Sequence, residues 1–406
     1  MRIAEGICMV PYGQELGVFD VSDFPHLEYS KKDVVRAGKA LEGQLTWTPE
    51  NEEEILKVFQ IANSWRASHA FPMHRMRAEL HGRMSALKLK GLTAARLKQM
   101  PSIRAKLNRI NSNLRQLQDL GGCRAVVPGI DHARALAAEF LEKSPHNLRR
   151  EDAYMDAPRQ SGYRSHHLIF AFEPRSDTEQ DYEGRLIEIQ IRSRLQHSWA
   201  TAVEAVGLYR GENLKAGVGS RDWLRLFELM SFEFAVSEGC EYAKDGSNSR
   251  VAEITELNNS LDAAQTLDTL SHAVSNLERI ERDPYHKPRY CVIRYDHEHK
   301  RVNVRYLDSP SMIERALESE AQGDRDPNRY SDVVVELDKI ENLKSAYPNY
   351  FGDVQLFKSS LSEVVHGRPV KEYSLPPIER VPPPPKEVPD DSWLRYPNRR
   401  NRRWEE

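Results

Sequence analysis

The clearest pattern in the chain is an alternation of apolar and polar residues over Arg185 to Ser193. Because successive side chains of a strand point to opposite faces, the pattern predicts a strand with one apolar and one polar face. The apolar members are Ile187, Ile189 and Ile191, and the polar members are Glu188, Gln190 and Arg192. An acid, an amide and a guanidinium in one row favour the lining of a site for a polar ligand. A solvent-facing row on an edge strand is the alternative.

Apolar residues at helical spacing and β-branched runs predict further elements around this strand. A helix should begin near Asn51, where Thr48 and several glutamates form a start signal, and a second helix should follow Pro72 and reach Leu87. The other predicted helices are residues 131–141, 195–209 and 223–240, and the predicted strands are residues 124–127, 163–172 and 186–192. We therefore expect the α/β (α+β) class, with a mixed β-sheet flanked by helices.

The chain divides into five predicted segments. Residues 1–50 look irregular, and residues 51–245 hold the mixed helix and strand pattern. One amphipathic helix that connects domains, with a break near Asp262, is predicted over 250–283. Residues 285–370 suggest a small ββαβα module, with strands at 289–295, 301–307 and 333–337 and helices at 312–321 and 340–365. Residues 376–406 are proline-rich and are predicted to be disordered.

Composition narrows the class of protein. The 406 residues are 39% hydrophobic and 29% charged, which is typical of a globular rather than a disordered chain. The net charge of −3 argues against a generally basic nucleic-acid binder but permits a local basic cleft. The four cysteines form no CxxC pair, which excludes an obvious zinc site or disulfide framework. No apolar run reaches membrane-spanning length, so we expect a cytoplasmic protein without a membrane partner.

A basic stretch between Arg96 and Arg124 carries the first candidate chemistry. It holds seven basic residues and a single acid, Asp119. Clustered lysines and arginines neutralise a polyphosphate, although a solvated helix face is the alternative for any such run. Asp119 lies beside Gly121 and Gly122, directly before a predicted strand, where an acid is well placed to bind magnesium.

A second candidate is the segment PRQSGYRSHHLIF, residues 158–170. Gly162 permits a tight turn that should present the ring of Tyr163 for stacking on a nucleobase, with half-buried packing as the alternative. His166 and His167 are adjacent on a predicted strand, so they face opposite sides and should not share a metal. In the predicted strand over 185–193, Glu188 suits a general base or a magnesium ligand, and Gln190 and Arg192 can bind a base edge, ribose or phosphate.

Four motifs in this order resemble the RelA/SpoT family of alarmone, or (p)ppGpp, synthetases. They are RxKxxxSIxxK from Arg96 to Lys106, DxxGxR from Asp119 to Arg124, PxxSGYRSxHL from Pro158 to Leu168 and ExQxR from Glu188 to Arg192. The resemblance covers roughly residues 50–240, and the chain is similar to a subset of stand-alone members. The resemblance implies a nucleotidyltransferase-like fold and an enzyme that transfers the β,γ-pyrophosphate of ATP to the 3′-hydroxyl of GDP or GTP.

The resemblance also implies roles for ten residues. Arg96 and Arg124 would clamp the adenine, Lys98 and Lys106 would hold the ATP phosphates, and Asp119 would bind Mg²⁺. Glu188 would complete the magnesium site and activate the 3′-hydroxyl. On the acceptor side, Tyr163 would stack on the guanine, and His167, Gln190 and Arg192 would shape the site.

Some positions depart from the family pattern. Arg159 stands where lysine is usual, and Ala153, Tyr154 and Met155 replace an Asp-Tyr-Ile run, which leaves the acceptor-phosphate contacts open. The hydrolase half's His-Asp dipeptide is absent, so no alarmone hydrolysis is expected. Toxic family members instead pyrophosphorylate the 3′ end of tRNA, and residues 285–370 would then be a regulator. A nucleotide-binding regulator without catalytic activity is a third hypothesis. The amphipathic helix predicted over 250–283 leaves self-association open.

Overall fold

The computed structural model describes residues 8–11, 21–43, 48, 50–98, 100–110, 112–268, 270, 290–296, 301–307, 330–336 and 350–370. All of them belong to a compact unit that ends at Tyr373. No described helix has the combined length and apolarity that a membrane span requires.

A mixed sheet of six described strands organises the first half of the chain. The strands are β1 Cys8–Pro11, β2 Leu92–Leu97, β3 Gly121–Val127, β4 Asn147–Ala153, β5 His166–Ala171 and β6 Leu186–Ser193. Their order is β1-β2-β3-β6-β5-β4. The central β3–β6 pair is parallel, and each of the other pairs is antiparallel. The expected mixed sheet is therefore confirmed.

Helices flank this sheet. They are α1 Lys31–Leu41, α2 Glu52–Ala67, α3 Ala70–Ala86, α4 Met100–Leu107, α5 Ile130–Lys143, α6 Arg194–Tyr209, α7 Arg221–Ser237, α8 Ser247–Leu261 and α9 Tyr350–Val365. The apolar side chains of β3, β5 and β6 join those of α3 and α5 in one buried cluster. This packing leaves the polar side of β6 free to line a site on the opposite face of the sheet.

The strongly patterned elements agree with the sequence predictions within a few residues. The exception among them is β5, which begins at His166 rather than at Tyr163, because the preceding residues form a turn. In that turn Gly162 has a φ of 83°, and a Cβ there would lie 2.9 Å from Cβ of Ser231. Glycine is required on both counts.

The expectation of an irregular N-terminal segment is wrong over Lys31–Leu41, which forms α1. Ser30 and Asp33 make a capping box at its start, and Val34, Ala37 and Leu41 are buried at helical spacing. Strands β2 and β4 and helix α4 were also missed. In β2, three consecutive residues are buried, so no alternation marks the strand.

The C-terminal part agrees with its predicted strands. Strands β7 Tyr290–Asp296, β8 Arg301–Leu307 and β9 Tyr330–Glu336 form an antiparallel sheet of order β8-β7-β9. The predicted helix at 312–321 and the proline-rich tail lie outside the described residues. The predicted break near Asp262 is confirmed, because α8 ends at Leu261 and Asp262 adopts a left-handed conformation with a φ of 48°. The rest of the predicted connecting helix, residues 271–283, lies outside the described residues. The limits of the five segments stay predictions.

Helix α9 packs on helices α6 and α7. Its Phe357 is fully buried, with ring centroids 5.5 Å from Phe227 and 5.7 Å from Phe234 of α7. Trp199 of α6 belongs to the same cluster. The core around α6 and α7 therefore includes residues more than 100 positions later in the chain.

We expect Phe357→Ala to lower the free energy of unfolding by about 3–5 kcal/mol, because it empties a buried aromatic position. Chemical denaturation followed by tryptophan fluorescence measures the change, since Trp199 and Trp223 lie in the affected cluster. The matched control is Leu56→Ala, whose side chain is 46% exposed and whose loss should cost no more than about 0.5 kcal/mol. Equal stability of the two variants would contradict the packing of α9.

Candidate functional site

The pairing of five strands creates two rows of residues on one face of the sheet. The first row is Arg96, Gly122, Glu188, Ile169 and Arg150, and the second is Ala94, Arg124, Gln190, His167 and Asp152. Members of all four sequence motifs thus become neighbours across the strands. Gly122 has no side chain beside Glu188, so the first row is open at its centre.

Asp119 lies at the entrance to β3 and is held by two lysines. Its Oδ2 lies 3.0 Å from Nζ of Lys98 and 2.8 Å from Nζ of Lys106, which reaches it from α4. Burial lowers the pKa of Lys98, although the charge of Asp119 opposes that effect. The second oxygen of Asp119, Oδ1, is buried without a hydrogen-bond partner. An orphaned carboxylate oxygen beside two cations is a fitting ligand for a metal ion that arrives with a polyphosphate.

Glu188 is at the centre of a hydrogen-bonded network. Its Oε1 lies 2.8 Å from Nδ1 of His167, and its Oε2 accepts a hydrogen bond of 2.7 Å from Nε2 of Gln190. Burial alone would raise the pKa of Glu188. The bonds from His167 and Gln190, with the charges of His167 and Lys106, outweigh burial and lower that pKa to about 2. Glu188 is therefore a firmly ionised carboxylate.

The network continues through His167 to Tyr163. Nε2 of His167 lies 2.6 Å from the tyrosine hydroxyl, which also accepts a hydrogen bond of 2.7 Å from Nη2 of Arg192. Burial opposes ionisation of Tyr163, but the charges of Arg192 and His167 lower its pKa to about 7. For His167, burial disfavours the charged form, yet Tyr163 and Glu188 raise its pKa above the usual value.

The ring of Tyr163 is half-buried, not exposed as the turn suggested. It meets Trp199 edge-on at 6.2 Å between centroids, and the Arg159 guanidinium lies 5.6 Å from its centroid. The packing alternative is therefore partly correct. The ring still borders the cleft, so packing and stacking on a ligand are compatible.

The two histidines behave as expected. Nε2 of His166 contacts Oε1 of Glu151 at 2.8 Å, whereas His167 contacts Glu188. Their partners lie on different strands, on opposite faces of the sheet. Within the described part of the chain, no group of three or more His, Cys, Asp or Glu side chains is arranged to hold a metal ion.

A single cleft of about 1310 Å³ unites the site. All ten residues singled out from the sequence line it: Arg96, Lys98, Lys106, Asp119, Arg124, Tyr163, His167, Glu188, Gln190 and Arg192. Guanidinium nitrogens of Arg124 lie 3.4 Å from Oε1 of Gln190, so the side assigned to ATP touches the side assigned to the acceptor. The individual roles stay predictions.

Several cleft residues were not among those ten. They are Ser102, Arg109, Arg150, Asp152, Arg159, Ser161, Lys215, Arg221, Arg225 and Glu228. Lys215 lies in the turn after α6, Arg221 and Arg225 lie in α7, and only the fold returns them to the cleft. Arg159 and Ser161 belong to the PRQSGY segment, and its match to the family pattern was the available signal.

Comparisons with known proteins cover the same part of the chain. Residues 95–213 match the family model described as "Region found in RelA / SpoT proteins". No curated protein matches the chain.

Solved structures resemble about half of the chain. The small alarmone synthetase 1 from Bacillus subtilis bound to its product pppGpp is 18% identical, with a TM-score of 0.38, over 43% of this chain and 90% of that chain. A GTP pyrophosphokinase family protein from Streptococcus pneumoniae is 21% identical, with a TM-score of 0.34, over 51% and 98%. The small alarmone synthetase 2 from Bacillus subtilis is 17% identical, with a TM-score of 0.37, over 43% and 93%.

The matched residues run from β2 to the end of α6 and its following turn, and they include all ten cleft residues taken from the motifs. Residues 95–213 of this chain are therefore similar to the region found in RelA / SpoT proteins, in agreement with the resemblance of the motifs.

Proposed function

We propose that the protein transfers the β,γ-pyrophosphate of ATP to the 3′-hydroxyl of GDP or GTP in the cytoplasm, which makes (p)ppGpp. One observation carries the proposal. All ten residues to which the resemblance assigns roles in this reaction line a single cleft, and they lie on or next to β2, α4, β3, β5 and β6. Its volume of about 1310 Å³ is enough for two ligands of that size.

The donor side is built for a polyphosphate. Lys98, Lys106, Arg96 and Arg124 converge on it, while Asp119 balances part of their charge. When ATP binds, its phosphate oxygens can take over the ammonium groups and release Asp119. Asp119 and Glu188 would then hold Mg²⁺ together with those phosphates, and the metal ion would neutralise charge on the transferred group.

The acceptor oxygen needs a base. In the transfer, the 3′-oxygen forms a bond to the β-phosphorus of ATP, the bond from that phosphorus to the α-phosphate oxygen breaks, and AMP leaves. Glu188 is ionised and accepts the hydroxyl proton as the new bond forms. A carboxylate whose pKa is about 2 is a weak base, so the proton moves late, once bond formation has made the hydroxyl acidic.

Further cations of the cleft can bind the acceptor phosphates. Arg150, Arg159, Lys215 and Arg221 line the cleft, and the Arg159 guanidinium lies 5.6 Å from the ring of Tyr163. Guanidinium groups bind phosphates in bidentate fashion. The same cations would suit the terminal nucleotide of a tRNA, so the acceptor has to be measured directly.

The decisive experiment incubates the purified full chain with Mg²⁺ and γ-labelled ATP and offers GDP, GTP or bulk tRNA as separate acceptors. We expect label in guanosine tetraphosphate or pentaphosphate. Label on tRNA alone would replace the proposal with the translation-toxin alternative. Nucleotide binding without any labelled product would indicate an inactive regulator.

In the same assay, Glu188→Gln should lower transfer by a factor of about 10²–10⁴, because the positioned base is lost. Binding of a non-hydrolysable ATP analogue should remain within about twofold, since the phosphate-binding lysines are intact. Glu183→Gln is the matched control, because it removes the same charge from an exposed position five residues earlier on the chain. Comparable turnover of Glu188→Gln and wild type would remove Glu188 from this role.

Tyr163→Ala should raise the KM for the guanosine acceptor by about 5- to 150-fold, the equivalent of one stacked base at about 1–3 kcal/mol. The KM for ATP should change much less, because Tyr163 lies on the acceptor side. Tyr163→Phe is the control, since it keeps the ring and loses only the hydroxyl. Equal changes in both KM values for Tyr163→Ala would disprove the stacking role.

Tyr163 should titrate near neutral pH. Its folded-state pKa of about 7 lies below the ordinary value of 10.0, so the side chain is neutral below about pH 7 and anionic above it. The tyrosinate ultraviolet absorbance of wild type minus Tyr163→Phe measures this step. Arg192→Gln should move the midpoint upward, because the cation that stabilises the anion is gone. A wild-type midpoint near 10 would show that the network of Tyr163, His167 and Arg192 does not form.

A further inference from the structure

A buried carboxylate from the far end of the chain reaches the back of the candidate site. Asp353 lies in the first turn of α9, and no part of its side chain is exposed. It is 140 residues beyond the matched RelA/SpoT region, which ends at residue 213. Burial of a carboxylate costs free energy unless positive or polar groups lie next to it, and Asp353 has such neighbours.

Those neighbours belong to the first turns of α6. Oδ2 of Asp353 lies 3.3 Å from Nε2 of His197, and Oδ1 lies 4.0 Å from Nη2 of Arg194. His197 and Arg194 are themselves almost fully buried. Asp353 also gains from the positive end of α9, since it lies in the first helical turn.

Helix α6 follows directly on β6, so this anchor is close to the cleft. Arg194 is two residues after Arg192, and Arg192 is 2% exposed and donates to the hydroxyl of Tyr163. Burial lowers the pKa of His197, and the charges of Arg124 and Arg192 lower it further, while Asp353 opposes both. These couplings place Asp353, His197 and the two cleft arginines in one electrostatic neighbourhood.

We propose that Asp353 is a positioning residue of the transferase, because its carboxylate anchors Arg194 and His197 and through them fixes Arg192 on the acceptor side of the cleft. Arg194 contacts this carboxylate, and Arg124 and Arg192 lie close enough to lower the pKa of His197. Without Asp353 these three cations would have less opposing charge, and their repulsion would move Arg192 away from Tyr163. Helix α9 is then part of the machinery of the synthetase and not only of the C-terminal module. The kinetic part of this inference rests on the proposed function.

The first test needs no substrate. Asp353→Asn in the full chain keeps the side-chain volume and removes the charge, and the Tyr163 titration reads the result. Loss of the Arg192 contact should raise the midpoint by about 1–3 pH units, the range over which a nearby opposite charge acts. Mere removal of a negative charge would instead lower the midpoint or leave it unchanged. An unchanged or lowered midpoint in folded Asp353→Asn would overturn the proposal.

The matched control is Glu363→Gln on the same helix. Glu363 pairs with the exposed Arg368 and is absent from the cleft lining. This variant removes the same charge and should titrate as wild type does. A shift equal to that of Asp353→Asn would indicate a general effect of α9 and would contradict the specific role.

Kinetics provide an independent reading. In Asp353→Asn, kcat/KM for the guanosine acceptor should fall about tenfold to hundredfold, as expected of a misplaced binding group. Binding of a non-hydrolysable ATP analogue should stay within about twofold. A uniform loss of both would mean that Asp353 only stabilises the fold. If wild type makes no guanosine product, the proposed function fails, and the titration still decides the role of Asp353.

Should Asp353→Asn not fold, His197→Gln probes the same contact from α6. Gln retains a polar group at that position but cannot place a ring nitrogen against the carboxylate of Asp353. The proposal predicts an upward shift of the Tyr163 midpoint in this variant as well. A folded His197→Gln with a wild-type midpoint would refute the route through His197.

Discussion

The parallel pairing of β3 with β6 is the constraint on which the rest of the site depends. This register sets Gly122 beside Glu188 and Arg124 beside Gln190. Parallel neighbours bring equivalent ends of two strands to the same edge, so Asp119, just before β3, and Glu188 line the same cleft. A shift by one residue would turn these side chains into the apolar core. The buried isoleucines of β6, which pack against α3 and α5, resist that shift.

Two carboxylates of the cleft, Asp119 and Glu188, already contact positive or polar side chains. On one side two lysines hold Asp119, and on the other His167 and Gln190 hold Glu188. Both carboxylates are thus held in place by these partners, and the cations around them are available to incoming phosphates. Because the partners are already oriented, little reorganisation is needed when the substrates bind. This arrangement suits a transfer that depends on positioning and charge neutralisation more than on covalent chemistry.

Helix α9 connects the C-terminal part of the chain to this chemistry. Phe357 secures it in the aromatic cluster of α7, and Asp353 reaches the beginning of α6. The strands β7 to β9 precede α9 in sequence. Helix α9 thus brings a C-terminal carboxylate against the beginning of the helix that follows Arg192.

The sequence by itself indicated a candidate site and determined the main elements. Alternation revealed β6, helical spacing revealed α6 and α7, and ordered motifs supplied ten of the residues that line the cleft, because these signals are local. It failed for β2, whose burial on both faces erases alternation, and for α1, whose capping box was overlooked among charged residues. Only the tertiary structure decided that Tyr163 is half-buried, that Lys215 and Arg221 border the cleft, and that Asp353 lies behind it. Such contacts join residues far apart in the chain, and no local periodicity records them.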